Sequence, residues 1–196
     1  MEGLLLAAGA GRRMGTPKAL VTDERGSWLQ RGVTNLRDGG CRRVTVVLGA
    51  EAERARTLVD GLPDGPRIVV AVDWVEGMGA SLRAGMQALA DSTEGAVMLS
   101  LVDLPDLGPE VVARVGLVGR SPHVLARAAY DGVPGHPVLL GRDHWAAVLE
   151  SAQGDQGARV YLARHEVELV ECGDLATGRD VDTRPSDHPP GPPVRS

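Results

Sequence analysis

Apolar residues in this chain fall into short unbroken runs, separated by longer stretches in which they recur every third or fourth position. The runs have strand length and are rich in Val and Leu, whereas the stretches between them have the periodicity of helices that bury one face. Strands are predicted over Gly3 to Ala7, Arg43 to Leu48, Arg67 to Val72, Gly95 to Leu101, His123 to Ala129, Pro137 to Leu140 and Val167 to Glu171. Helices are predicted over Trp28 to Asp38, Glu51 to Gly61, Ala80 to Asp91, Pro109 to Val115, Arg142 to Ser151 and Gly157 to Arg164. Asp38 followed by Gly39 and Gly40 is a helix stop, and Pro109 suits a first helical position. The segment Tyr130 to Gly135 (YDGVPG) reads as the turn of a β-hairpin added to the sheet. Alternation of strand and helix predicts an α/β fold around a mainly parallel sheet, mixed at one edge.

Composition narrows this picture. A chain of 196 residues suits one domain, expected over residues 1–182, followed by a disordered Pro-rich tail over residues 183–196. There is no Phe, so Val, Leu and Ala must fill the core, as parallel strands buried under helices allow. A net charge of -5 with scattered arginines argues against a nucleic-acid partner. No apolar stretch approaches the roughly 20 residues of a membrane span, and no signal-peptide pattern opens the chain. A soluble cytoplasmic protein without a membrane partner is the expectation, with Cys41 and Cys172 as buried, reduced thiols.

The candidate chemistry begins at LLLAAGAGRRMGTPK, residues 4 to 18. Gly9, Gly11 and Gly15 follow a predicted strand and free the backbone to turn N–H groups toward an anion. Lys18 closes the segment and is the one lysine among 21 basic residues. A compact ammonium and a planar guanidinium fit a phosphate pocket differently, which marks this position out. A P-loop would need Gly-Lys-Ser/Thr, but Thr16 and Pro17 separate Gly15 from Lys18. A dinucleotide-binding turn would enter its helix at once. A triphosphate cradle sharing charge among backbone amides, Arg13 and Lys18 fits the residues present.

Asp103 follows the apolar run Ala96 to Val102 and so falls at the carboxyl end of a strand, where open α/β sheets bind ligands. A carboxylate there can hold Mg²⁺ against phosphate oxygens, or can simply cap the turn before Pro105. Asp180 and Asp182 flank Val181, and alternation points both away from that valine. They read as a solvated acidic turn unless Asp103 lies beside them. The loop VDWVEGMGASLRAG, residues 72 to 85, can cover a bound base, with Gly79 and Ser81 at the helix start. His136, in PGHPV, is either a ligand contact or a hairpin terminator. Close histidine pairing of the zinc-protease kind and a G-x-S-x-G elbow are both missing from the sequence.

The segment LAAGAGRRMGTPK resembles the signature of the MobA-like nucleotidyltransferases. WVEGMGASLRAG, LVDLPDL, GVPGHPVLL, GDQGARVYL and DVDTRPSD follow in the order found in the molybdenum cofactor cytidylyltransferase branch. This resemblance implies a three-layer α/β/α sandwich with a nucleotide-binding N-terminal half and an acceptor-binding C-terminal half. It implies transfer of a nucleoside monophosphate, CMP from CTP, to the terminal phosphate of molybdopterin or molybdenum cofactor, releasing pyrophosphate. Leu6, Ala7, Ala8, Gly9, Ala10, Gly11, Arg13, Lys18, Gly79 and Ser81 would contact the nucleotide. His136 and Asp155 would contact the acceptor, and Asp103 and Asp182 would hold Mg²⁺. Lys18, Arg13 and Asp103 would carry catalysis.

Ala7 and Ala8 stand where guanylyltransferases of this group often carry glycine, which favours CTP over GTP. Gly11 departs from the many relatives with Ser and removes one hydroxyl donor. The partner implied downstream is a molybdoenzyme such as a xanthine dehydrogenase-type hydroxylase. Two other classes remain open at the level of sequence: a non-catalytic molybdenum cofactor carrier, and a nicotinamide-dependent oxidoreductase using the glycine loop.

Overall fold

The computed structural model describes residues 1–182, so the predicted tail lies outside the described residues. The first strand, β1 (Glu2–Ala7), is followed by a two-stranded hairpin, β2 (Thr22–Asp23) and β3 (Gly26–Ser27), and helix α1 (Trp28–Asp38). Next come β4 (Arg43–Leu48), α2 (Ala52–Val59), β5 (Arg67–Val70), α3 (Met78–Ala88) and β6 (Ala96–Leu101). The remaining elements are α4 (Pro109–Gly116), β7 (Leu125–Tyr130), β8 (Val133–Gly141), α5 (Trp145–Ser151), α6 (Arg159–Leu162) and β9 (Glu168–Glu171).

Seven strands form one sheet in the order β5-β4-β1-β6-β8-β7-β9. The first four run parallel, while β8 is antiparallel to both of its neighbours and β9 is parallel to β7. The alternation along β1 explains the layers. Leu5 and Ala7 face α1, α2 and α4, whose Leu29, Leu36, Val59, Val111 and Val115 share one core cluster with them. Leu4 and Leu6 face α3, α5 and α6 through Leu82, Met86, Trp145, Val148 and Tyr161. Every residue of β1 is buried, as expected for a central parallel strand covered on both faces. The three-layer α/β/α sandwich with a mixed edge is therefore observed.

Three local departures have physical causes. The helix predicted to begin at Ala80 begins at Met78, because Gly77 turns the chain at φ 113° and frees the next residues to coil. The strand predicted from Pro137 begins at Val133, directly after a tight turn in which Asp131 and Gly132 both adopt positive φ. Prolines cannot donate to a ladder, and β8 accommodates Pro134 where the register against β7 shifts between Arg127 and Ala129. The third departure is the β2–β3 hairpin. Asp23 holds it together, accepting hydrogen bonds from the Arg25 backbone, Trp28 Nε1 and the Arg31 guanidinium.

Cys41 and Cys172 are buried and unpaired. Among the described residues, no helix is long and apolar enough to cross a membrane.

Candidate ligand site at the carboxyl ends of β1 and β6

β1 and β6 are adjacent and parallel, and the loops that leave their carboxyl ends pass to α1 and α4 on the same face of the sheet. A crevice opens between these loops and the start of α3, at the strand ends where open α/β sheets accept ligands. A cavity of about 400 Å³ fills it. Leu6, Ala7 and Ala8 from β1 and its exit, with Leu101, Val102 and Asp103 from the exit of β6, line its base. The glycine loop contributes Gly9, Ala10, Gly11, Arg12 and Lys18. Trp74, Val75, Gly77, Met78 and Ser81 form the facing wall, and Asp155 completes it.

The loop is shaped by Gly11, whose φ is +59°. A Cβ placed there would lie 1.8 Å from the Thr16 carbonyl oxygen, so both the conformation and the space require glycine. The Gly11 carbonyl accepts from Met14 N–H at 2.9 Å, which closes the turn. Among the described residues, the N–H groups of Ala10, Gly11, Arg12 and Arg13 have no hydrogen-bond partner. An anion cradle needs donors in this state.

Lys18 opens a short 3-10 turn, and its Nζ lies 2.6 Å from Asp103 Oδ2 and 2.6 Å from Asp182 Oδ1. Burial opposes its charge, but hydrogen bonds and attraction from the two carboxylates prevail and raise its pKa above the ordinary lysine value. Asp182 is pulled below the usual carboxylate range, chiefly by the hydrogen bond from Lys18. Arg13 Nη1 reaches the other oxygen of Asp182 at 3.2 Å from an exposed position.

The C-terminal acids arrive here through the backbone. Val181 N–H donates to the Asp103 carbonyl at 3.0 Å, and the Val181 side chain packs on the core. Asp180 and Asp182 therefore flank Asp103, each of the three offering a carboxylate oxygen within 4.8 Å of the others. Asp103 Oδ1 is buried without a hydrogen-bond partner. Oxygen-only donors with one orphaned buried lone pair suit a hard divalent cation such as Mg²⁺ or Mn²⁺.

Several residues singled out in the sequence lie elsewhere. Arg13 is absent from the main cavity and lines an adjoining recess of about 200 Å³ with Gly11, Arg12, Met14, Lys18 and Asp182. Gly79 is buried and does not line the cavity; its added Cβ would meet the Ala152–Gln153 backbone at 2.9 Å, so it allows helix α3 to approach that segment. His136 is partly buried on β8 and is not among the lining residues either. Its carbonyl accepts the Tyr130 hydroxyl at 2.6 Å. Burial, with Arg127 nearby, pushes its pKa down to about 4. Asp155 shares the wall of Gly77 and Ser81 rather than a separate pocket with His136.

Sequence reasoning named the loop of residues 72 to 85 as a cover for the site but not Trp74, Val75 and Met78 within it, and it passed over Arg12. The signal available was WVEGM itself, apolar residues in a Gly-bounded loop too short to be a core element. Val75 is 66% exposed and Met78 40%, which is unusual for such side chains beside a cavity.

An α/β sheet covered by helices on both faces, with a glycine loop, one lysine and an acidic cluster at the carboxyl ends of β1 and β6, defines a phosphate-ligand protein of the nucleotide-binding type. Residues 3–169 match the MobA-like NTP transferase domain, and the chain belongs to that family. It is 38% identical over 193 residues to nicotine blue oxidoreductase of Paenarthrobacter nicotinovorans, covering 93% of this chain and 92% of that protein. Rv0371c of Mycobacterium tuberculosis H37Rv superposes with a TM-score of 0.75 at 30% identity, over 93% of this chain and 92% of that one. A structure of Rv0371c in complex with manganese gives 0.70 at 28% identity, over 92% of both chains. Molybdopterin-guanine dinucleotide biosynthesis protein A of Archaeoglobus fulgidus shares the fold, with a TM-score of 0.66 at 17% identity over 95% of this chain and 94% of that one.

Proposed function

We propose that this protein transfers CMP from CTP to the terminal phosphate of molybdopterin or molybdenum cofactor. The observation that carries the reading is Lys18, which lines the cavity of the glycine loop and touches the carboxylates of Asp103 and Asp182 at once. A phosphate chain laid along the free N–H groups of Ala10 to Arg13 would bring its charge to this lysine. Arg12 and Arg13 stand on the rim to share that charge.

In the reaction an oxygen of the acceptor phosphate forms a bond to the α-phosphorus, and the bond from that phosphorus to the α,β-bridging oxygen breaks. Pyrophosphate carries the electron pair away. The attacking phosphate is already ionised, so no general base is needed, and the chain's work is positioning and charge neutralisation. Asp103 and Asp182, with Asp180 beside them, would hold the divalent cation, which when bound supplies charge stabilisation to the transferring phosphoryl group. Asp155 faces the same cavity and would meet the acceptor side. In this reading residues 1–182 act as one unit, and the product passes to a molybdoenzyme of the xanthine dehydrogenase type.

CTP is favoured because Ala7 and Ala8 both line the base of the cavity and are buried, so their methyl groups narrow it where glycine would leave space. The test compares specificity constants for the four NTPs with molybdopterin as acceptor, read as pyrophosphate release. A clear GTP preference would place the protein with the guanylyltransferases, and cofactor binding without pyrophosphate release would make it a carrier.

One observation favours a second reading. The relative named for reducing or oxidising nicotine blue spans almost the same length as this chain at 38% identity. Trp74, Val75 and Met78 give the cavity an apolar wall against which a flat conjugated ring could lie. A nicotinamide-dependent oxidoreductase would consume NADH or NADPH with nicotine blue as acceptor and need no NTP.

A further inference from the structure

Lys18 stands where the proposed cation must bind. Its ammonium occupies Asp103 Oδ2 and Asp182 Oδ1 at 2.6 Å each, and its side chain is only 17% exposed. Those oxygens belong to two of the three carboxylates capable of gathering around a cation. An ammonium in contact with both and a divalent cation held by the same groups would be two positive charges packed together in a partly buried site, where water screens them poorly. Asp103 Oδ1 and Asp180 stay open to a cation, but the ammonium on the neighbouring oxygens repels it, so the two arrangements compete.

The lysine has a place to go. Lys18 lines both the main cavity and the adjoining recess, so rotation about its four-carbon stem carries Nζ from the carboxylates to the mouth of the glycine loop. An anion held there by the loop N–H groups would receive the ammonium as the cation takes the carboxylates. Arg13 cannot substitute as the internal occupant, because it reaches only Asp182 and lies 77% exposed.

We propose that Lys18 is an internal counter-ion that competes with the divalent cation for Asp103 and Asp182, so that cation uptake and transfer of the ammonium to a phosphate ligand are a single coupled event. Each ligand then raises the affinity of the other by the same factor, since coupling between two binding free energies is reciprocal. This rests on the reading of the site as an NTP and cation site, but not on which acceptor or which base is used. A lysine serving only as a structural bridge between β6 and the C-terminal segment would show no such competition.

The chain contains a single lysine, which makes the test unusually direct. Protein labelled with ¹³Cε-lysine has one side-chain resonance, readable without assignment. Mg²⁺ alone, inorganic pyrophosphate alone, and both together are titrated into the intact chain. The proposal expects the resonance to move with each ligand and to reach its end point at lower Mg²⁺ when pyrophosphate is present. In parallel, Mn²⁺ binding is followed by the loss of the free-ion EPR signal for wild type, Lys18→Met and Lys18→Gln, with folding checked by circular dichroism. Removing the competing ammonium is expected to tighten Mn²⁺ binding at least about tenfold in both variants. A lysine resonance indifferent to saturating Mg²⁺, or variants that bind Mn²⁺ no more tightly than wild type, would overturn the proposal. Neither readout involves turnover, so failure of nucleotidyl transfer and failure of the counter-ion exchange are told apart.

Discussion

The Val181 amide donates to the Asp103 carbonyl at 3.0 Å, a main-chain bond that fixes the position of two acidic side chains beside a third. The apolar side chain of Val181 turns into the core, and the alternation of an extended segment then points Asp180 and Asp182 the other way. The acidic cluster is thus assembled by backbone geometry, and single side-chain substitutions can test its charges without dismantling its frame.

Asp103→Asn keeps the volume of the side chain and removes its charge. Turnover is expected to fall by about two orders of magnitude, in line with the loss of a preorganised charge contact at a phosphoryl group. Asp182→Asn should lose less because that residue is 44% exposed, and Asp180→Asn least. Mg²⁺ titrations of pyrophosphate release for the three variants check the order. Full activity of Asp103→Asn at wild-type Mg²⁺ would remove the metal assignment.

Lys18→Arg conserves charge but replaces a compact ammonium with a planar fork between two carboxylates. A loss of at least about tenfold in turnover is expected, with a melting temperature within a few degrees of wild type because the ion pairs persist. Turnover and thermal melting measured on the same preparation decide this, and wild-type turnover would show that charge alone suffices.

Gly11→Ser would add a hydroxyl to the loop at a position where the backbone does not accommodate a side chain. A side chain at φ +59° costs roughly 1–2 kcal/mol. Its Cβ would also collide with the Thr16 carbonyl, so the loop must open. The expected result is a melting temperature lower by at least about 4 °C, together with weaker NTP binding by calorimetry. A variant as stable as wild type with unchanged NTP affinity would contradict the loop geometry.

His136 predicts a pH dependence away from the candidate site. Its folded-state pKa of about 4 lies below the ordinary 6.5, so between these values the unfolded chain binds the extra proton and the folded protein resists it. Stability from this group is complete above pH 6.5 and declines as pH falls toward 4. The limiting slope for one such group is about 1.4 kcal/mol per pH unit. Denaturant melts at several pH values should show a shallower decline for His136→Gln, and identical slopes for the two proteins would refute the assignment.

Much of this arrangement is legible in the sequence because its signals are local. The buried run of β1 ends just short of Gly9 and that of β6 just short of Asp103, so the apolar pattern alone locates both strand exits. The alternation of DVD also carries over directly into space. Which apolar residues stay out of the core is not legible in this way. Val75 and Met78 look like core formers by type, and Trp74 packs on the core while also lining the cavity, so only the fold shows which of them face it. His136 and Asp155 illustrate the same limit, since the long reach from β8 to the segment beyond α5 separates two residues that the family resemblance assigns to one acceptor.

The order in which the charged groups occur along the chain has a consequence for synthesis. Arg12, Arg13 and Lys18 leave the ribosome first, Asp103 follows after β6, and Asp180 and Asp182 emerge only after β9. Of the carboxylates that gather around Lys18, Asp103 comes early and Asp180 and Asp182 come last in chain order. The acidic side of the site is therefore completed only by the segment around Val181, the last of its parts in chain order, when it docks on the Asp103 carbonyl.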